Sequence, residues 1–100
     1  MFLHKYVNSL YLDIISSNYD ESYIELLDET NFVKIYQLFK DYKFYYIDDI
    51  ILKYLEIFEM DYDDVEQGIL LLKKKLGEDF VRIIGNDMTY LDEIYSYEGD

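Results

Sequence analysis

Several amino acids are absent or nearly absent from this chain, and each absence narrows what the protein can do. There is no Cys, which excludes disulfides and thiolate metal sites. Pro and Ala are also missing, and Arg82 is the only arginine. Together with abundant Ile, Tyr and Phe, this composition indicates an AT-rich genome. His4 is the only histidine, so a zinc site would need carboxylates for nearly all of its ligands, which is uncommon.

Long hydrophobic runs are missing too. The longest uncharged apolar stretches are short, such as residues 69–72, whereas about 20 apolar residues are needed to span a bilayer. Residues 1–9 lack the apolar core and cleavage site of a signal peptide. Hydrophobic residues nevertheless make up 51% of the 100 residues, enough to form a core. We therefore expect a single soluble domain spanning residues 1–100, located in the cytoplasm and without a membrane partner.

Apolar residues recur at helical spacing through the first fifteen positions. The pattern predicts an amphipathic helix that ends at residues 16–18. Its inward face would carry Leu3, Tyr6, Val7, Leu10, Tyr11, Ile14 and Ile15.

Residues 20–43 allow two interpretations. In the first, Asp20 caps a short helix and Thr30 or Asn31 caps a second. In the second, residues 23–27 and 32–38 form a β-hairpin around a turn at 28–31, as their aromatic and β-branched content suggests. We favour the helices because the second segment has apolar residues at i, i+3, i+4 and i+7. These are Phe32, Ile35, Tyr36 and Phe39.

The remaining sequence predicts further helices. Residues 46–60 carry an apolar stripe wide enough for a central helix packed on two sides. Asp61 opens the next helix, in which Gly68 suggests a close helix crossing and Gly77 suits the C-terminal end. A short helix at 78–84 would be closed by Gly85, and Asn86 or Asp87 would cap a last one, with residues 97–100 frayed. The expected fold is all-α, with five or six short helices and a possible hairpin within residues 22–38.

No catalytic or metal-binding pattern emerges. An EF-hand loop beginning at Asp61 would need Asp or Asn at its fifth position and Gly at its sixth, where this chain has Val65 and Glu66. A Ser–His pair could use only His4. Gly68, Gly77 and Gly85 are too widely spaced for a phosphate-binding loop. We therefore expect no enzymatic activity, no catalytic residue, no metal and no cofactor.

Charge is the strongest signal in the sequence. Twenty-two acidic residues stand against nine basic ones, a formal net charge of −13, and thirteen residues are Tyr. Such a charge repels nucleic acid and attracts basic protein surfaces. The one basic cluster, at residues 73–75, is explained by the end of a helix. We expect a basic protein partner and no direct contact with nucleic acid.

An acidic stretch marks the candidate contact surface. Between Lys53 and Lys73 there are six acids and no base, interleaved with aromatic residues. Carboxylates attract and pair with Lys and Arg, and tyrosine rings supply contact area at low entropic cost. The alternative is a solvated helix face with acids at a helix N-terminus. Asp41, Asp48 and Asp49 would extend the surface if the middle helices pack antiparallel. The predicted partner-binding residues are Tyr54, Glu56, Glu59, Asp61, Tyr62, Asp63 and Glu66.

Three functions are compatible with these features. The first is an immunity protein or antitoxin that covers the basic active site of a nuclease-type toxin. The second is a phage-type inhibitor whose carboxylates mimic the phosphates of nucleic acid on a host DNA- or RNA-binding protein. The third is a structural or regulatory helical module that self-associates, for example as a homodimer. We place the immunity protein first because small size, acidity and missing catalytic groups all agree with it.

Overall fold

The computed structural model describes residues 2–95, and this part of the chain consists of helices joined by short turns. It contains seven α-helices and three short 3₁₀ helices, and no β-strand occurs within it. The expectation of an all-α fold built from short helices is confirmed. The α-helices are α1 (Ser9–Asn18), α2 (Glu21–Glu25), α3 (Glu29–Asp41), α4 (Ile47–Lys53), α5 (Tyr62–Leu76), α6 (Phe80–Asn86) and α7 (Asp92–Tyr95). The 3₁₀ helices are Phe2–Lys5, Leu55–Glu59 and Met88–Leu91.

Residues 22–38 form helices, and the hairpin alternative is wrong. Helix α2 begins after Asp20, although the Asp20 side chain makes no capping hydrogen bond. Helix α3 begins earlier than predicted, because Asp28 caps it by accepting hydrogen bonds from the backbone N–H groups of Thr30 (2.9 Å) and Asn31 (3.4 Å). The carboxylate of Asp28 thereby satisfies backbone donors that the predicted caps at 30 and 31 would have left exposed.

The predicted N-terminal helix is broken between residues 5 and 9. Asn8 caps α1 by accepting a hydrogen bond from the backbone N–H of Tyr11 at 2.9 Å, so the helix cannot continue back to Leu3. Leu3 and Ile15 are fully buried, but Leu10 is 64% exposed and Ile14 is also exposed. The helical face predicted to point inward is therefore only partly buried.

The segment from 46 to 60 is not one helix. Helix α4 ends at Lys53, Tyr54 leaves the helical conformation (φ −135°, ψ 45°), and a 3₁₀ helix follows. Three residues per turn place Leu55 and Phe58 on one face, and both are buried. The wide apolar stripe of this segment is therefore buried by two consecutive helices of different type. Its buried members are Ile47, Ile50, Ile51, Leu55, Ile57 and Phe58.

The core is built around aromatic rings from α3 and the central 3₁₀ helix. The ring centroid of Phe58 lies 4.8 Å from that of Phe32 and 5.7 Å from that of Phe39. Asn31 joins the same two elements, since its side-chain amide donates to the carbonyl oxygens of Phe58 (2.9 Å) and Met60 (3.0 Å). Within the described residues, all fully buried side chains are apolar or aromatic. No helix in this part of the chain is long and apolar enough to cross a membrane.

Three glycines position the C-terminal helices. Gly77 ends α5 with a φ of 84°, as predicted. Gly68 allows α5 to approach α7, because a Cβ there would lie 3.0 Å from Cγ1 of Ile94, so the predicted close crossing is confirmed. Gly85 was expected to close α6 but lies inside it, and Asp87 then caps the 3₁₀ helix that precedes α7. The predicted fraying at 97–100 falls outside the described residues.

Candidate protein-binding surface

The predicted contact residues lie on two consecutive elements and form two groups with different surroundings. The first group, Tyr54, Glu56 and Glu59, belongs to the central 3₁₀ helix and the residue before it. The second group lies at the start of α5. It consists of Asp61, Tyr62, Asp63 and Glu66.

The carboxylates of the first group are bound by tyrosines of the same chain. Glu56 accepts hydrogen bonds from the hydroxyls of Tyr19 and Tyr95, and Glu59 accepts one from the hydroxyl of Tyr23. The rings of Tyr19 and Tyr23 stack with centroids 5.1 Å apart and planes 16° from parallel. We call these five residues the tyrosine–carboxylate seam. Their carboxylates stabilise the packing of the central 3₁₀ helix against α2 and α7.

Burial and hydrogen bonding act together on the phenols of the seam. Burial, followed by the hydrogen bond to Glu56, raises the pKa of Tyr19 far above its ordinary value. Burial and the hydrogen bond to Glu59 do the same to the pKa of Tyr23. Tyr54 behaves similarly, since burial and a hydrogen bond to Asp92 raise its pKa. All three phenols therefore keep their protons to a higher pH than an ordinary tyrosine does.

The second group faces solvent. Asp61 and Asp63 are exposed, Tyr62 is 36% exposed and Glu66 is half-buried. Asp61 occupies the N-cap position of α5, but its side chain makes no capping hydrogen bond. The carboxylate of Asp61 therefore does not cap the helix. The acids of the first turn still lie where the helix dipole favours negative charge.

Asp41 at the end of α3 joins this second group. Burial raises the pKa of Tyr62, and the neighbouring charges of Glu66, Asp41 and Asp63 raise it further. The pKa of Tyr42 is raised by burial and then by Glu66 and Tyr62. Asp41 and Tyr62 also line the same surface groove, so Asp41 lies beside the start of α5.

Asp48 and Asp49 lie elsewhere, although the sequence suggested that they extend the same surface. Asp49 accepts a hydrogen bond from the hydroxyl of Tyr11 at 2.5 Å and so joins α4 to α1. Asp48 lines a separate cleft that includes Tyr36 and Tyr45. Of the three additional acids considered, Asp41 alone is brought to the start of α5.

Neither group of predicted acids takes part in the ion pairs of the described residues. These pairs join Lys5 to Glu29 (3.4 Å), Lys75 to Glu93 (3.1 Å) and Arg82 to Asp79 (3.1 Å). All six side chains are well exposed. Within residues 2–95, no three His, Asp or Glu side chains come together in a cluster that could hold a metal ion.

A shallow groove beside the second group was not foreseen from the sequence. It runs between α3 and the start of α5, with Leu38 at its base and Val33 and Tyr62 at its sides. Gln37, Lys34 and Asp41 complete its lining, and Gln37 donates a hydrogen bond to Asp41 at 3.0 Å. One signal was present, since positions 34, 37, 38 and 41 share one face of a helix.

The seam was also missed as a structural feature, although its spacing was visible. Glu56 and Glu59 are three residues apart, which places both carboxylates on one face of the 3₁₀ helix, while Tyr23 lies on α2 and Tyr19 lies in extended backbone just before it. The pairing of these tyrosines with the two carboxylates depends on tertiary packing, which no local pattern contains. Comparison of the chain with protein families, with characterised proteins and with solved structures found no match.

Proposed function

We propose that this chain is a small acidic inhibitor that binds a basic, nuclease-type toxin and occludes its active site, as an immunity protein or antitoxin does. The observation that carries the proposal is the net charge of −13 combined with acids at the start of α5 that face solvent. Such a surface attracts a basic partner over long distances and speeds its association. The protein would act in the cytoplasm, without binding nucleic acid directly.

The two groups of acids would have different roles in this complex. Asp61, Asp63 and Glu66 would pair with Lys or Arg around the active site, and Tyr62 would pack its ring against the same cations. Glu56 and Glu59 already accept tyrosine hydroxyls, so their main contribution would be to the overall electrostatic field.

The first test combines affinity capture with an activity assay. The chain is immobilised on a resin and incubated with lysate of its source cells. Bound proteins are eluted with a salt gradient, and each is identified and assayed for nuclease activity. We expect one basic nuclease that elutes only at high salt and loses activity when the free chain is added. Capture of only the chain itself, or of no protein, would contradict the proposal.

Charge reversal locates the contact surface. The double variant Asp63→Lys with Glu66→Lys should abolish inhibition while leaving the protein folded, with only a small decrease in melting temperature because Asp63 lies where the helix dipole favours negative charge. The matched control is Asp13→Lys with Glu78→Lys, which makes the same change in net charge at exposed positions outside the predicted surface. Equal loss of inhibition in both double variants would show that only net charge matters.

Competition separates the immunity protein from a mimic of nucleic acid. A mimic should bind several DNA- or RNA-binding proteins and be displaced by nucleic acid from each. An immunity protein should inhibit one cognate toxin and leave unrelated nucleic-acid-binding proteins unaffected.

Exposed leucines favour a second candidate, a module that self-associates. Leu26 is 83% exposed, Leu10 is 64% exposed and Leu71 is 54% exposed. Burial of such side chains in a dimer would be favourable. Sedimentation at low and high salt tests this candidate, since a dimer held by leucines should persist when charges are screened. A monomer at all salt concentrations would exclude it.

A further inference from the structure

We propose that the groove between α3 and the start of α5 receives a segment of the basic partner that presents an apolar side chain flanked by Lys or Arg. This inference rests on the proposed function, because it assumes a basic protein partner, and it adds the position and chemistry of the contact. The groove differs from the surface predicted from sequence in that Val33 and Leu38 of α3 contribute to its apolar lining beside Tyr62. These two residues of α3 were not part of the predicted site.

The groove offers an apolar contact that acids alone cannot provide. Leu38 is almost fully buried and forms the base, while Val33 is 39% and Tyr62 is 36% exposed along the sides. Exposed apolar side chains around a concave surface gain free energy when a partner removes them from water. A partner that inserts an apolar side chain would bury both flanks at once.

Charge selects the partner and orients it. Asp41 lies in the groove, and Glu66 and Asp63 lie close enough to Tyr62 to influence its ionisation. Lys34 occupies the opposite part of the groove, seven residues before Asp41 on α3, which is about 10 Å along the helix axis. The cations of a bound segment would therefore lie toward the Asp41 end.

The test uses three synthetic peptides and the full chain labelled with ¹⁵N. The first peptide carries Leu between Lys and Arg residues, the second replaces that Leu by Ser, and the third replaces the Lys and Arg by Glu. We expect the first to shift the amide signals of residues 33–41 and 62–66, the second to bind about tenfold more weakly, and the third to cause no shift. No shift by the first peptide at millimolar concentration, or shifts confined to other residues, would overturn the proposal.

Two serine variants separate the groove from general electrostatic attraction, and a third variant tests the effect of Lys34. Val33→Ser should weaken binding of the first peptide at least about fivefold, whereas Leu71→Ser, at an exposed leucine outside the groove, should change it less than about twofold. Lys34→Glu should tighten binding severalfold because it removes the cation from the groove. Equal effects of the two serine variants, or weaker binding by Lys34→Glu, would contradict the proposed contact.

The same variants distinguish failure of this inference from failure of the proposed function. If a captured basic nuclease is inhibited equally by the wild-type chain and by Val33→Ser, but not by the Asp63→Lys and Glu66→Lys double variant, the groove inference fails and the proposed function stands. If the peptide binds the groove and no basic protein is captured, the preference of the groove for an apolar side chain flanked by cations stands, and the proposed function fails together with the assignment of the groove to a toxin.

Discussion

Gly85 lies directly against the ring of Tyr46, so that a Cβ at residue 85 would be 2.8 Å from Cε1 of that ring. The ring has little freedom to move, because the Tyr46 hydroxyl donates a hydrogen bond to the carbonyl oxygen of Val81 on the same helix. Glycine at this position therefore permits α6 to pack on the segment that leads into α4.

Gly85→Ala should destabilise the protein although alanine is the better helix former. The clash with the Tyr46 ring should cost about 1–3 kcal/mol against a gain of about 1 kcal/mol from helix propensity, so the free energy of unfolding should fall by up to about 2 kcal/mol. Urea unfolding measures the difference. In a Tyr46→Leu background the same substitution should become neutral or stabilising, and persistence of the full loss there would contradict the assigned contact.

Stability should fall at alkaline pH because of the seam. The pKa values of Tyr19 and Tyr23 are raised in the folded state, so above a pH of about 10 the unfolded chain loses phenolic protons that the folded chain keeps. The folded state then binds more protons than the unfolded state, and the free energy of unfolding decreases as the pH rises. Below that pH this contribution is fully present.

Unfolding experiments between neutral and strongly alkaline pH, followed by circular dichroism and tyrosinate absorbance, measure this dependence. Replacing both Tyr19 and Tyr23 by Phe should lower stability at neutral pH and flatten the alkaline decrease. Tyr45→Phe removes an exposed phenol outside the seam and serves as the control. A decrease of the same steepness in all three proteins would refute the role of the seam.

Glu56→Gln should destabilise the fold, because a neutral amide is a weaker acceptor than a carboxylate for the hydroxyls of Tyr19 and Tyr95. Loss of these charge-assisted hydrogen bonds should cost about 2 kcal/mol in the free energy of unfolding. Glu25→Gln, an exposed acid on α2, makes the same chemical change and should have little effect. Similar losses for the two variants would mean that Glu56 acts only through its charge.

Asp28→Ala should lower the free energy of unfolding by about 1 kcal/mol, because it removes the cap of α3. Thr30→Ala tests the cap suggested by the sequence, and it should be nearly neutral because the backbone N–H of Thr30 is the donor and its side chain has no part in that bond. Thermal and urea unfolding of both variants check the order of the two effects. The reverse order would show that α3 begins at residue 30 or later.

Sequence patterns predicted the elements with one regular apolar face and no competing side chain. In α5, Val65, Ile69 and Leu72 recur at helical spacing and are buried, and Gly77 ends the helix as predicted. The prediction was wrong where local and tertiary effects compete. Asn8 interrupts the N-terminal pattern with a cap, which periodicity alone does not reveal.

The candidate site was predictable only in part, for a related physical reason. The acids at the start of α5 are exposed because their neighbours along the helix determine which face is buried. The carboxylates of Glu56 and Glu59 instead accept hydrogen bonds from tyrosines more than thirty residues away in sequence. Such a pairing follows from how the helices are arranged in space, as does the contribution of Val33 to the groove.

The central 3₁₀ helix Leu55–Glu59 has consequences for how this protein tolerates mutation. Leu55, Ile57 and Phe58 are buried in the core, while Glu56 and Glu59 accept tyrosine hydroxyls, so each of the five side chains already has a structural role. Random substitutions should therefore destabilise the protein more often in this segment than on the exposed face of α1. In a deep mutational scan for folded protein, these five consecutive positions should stand out as a region where almost no change survives.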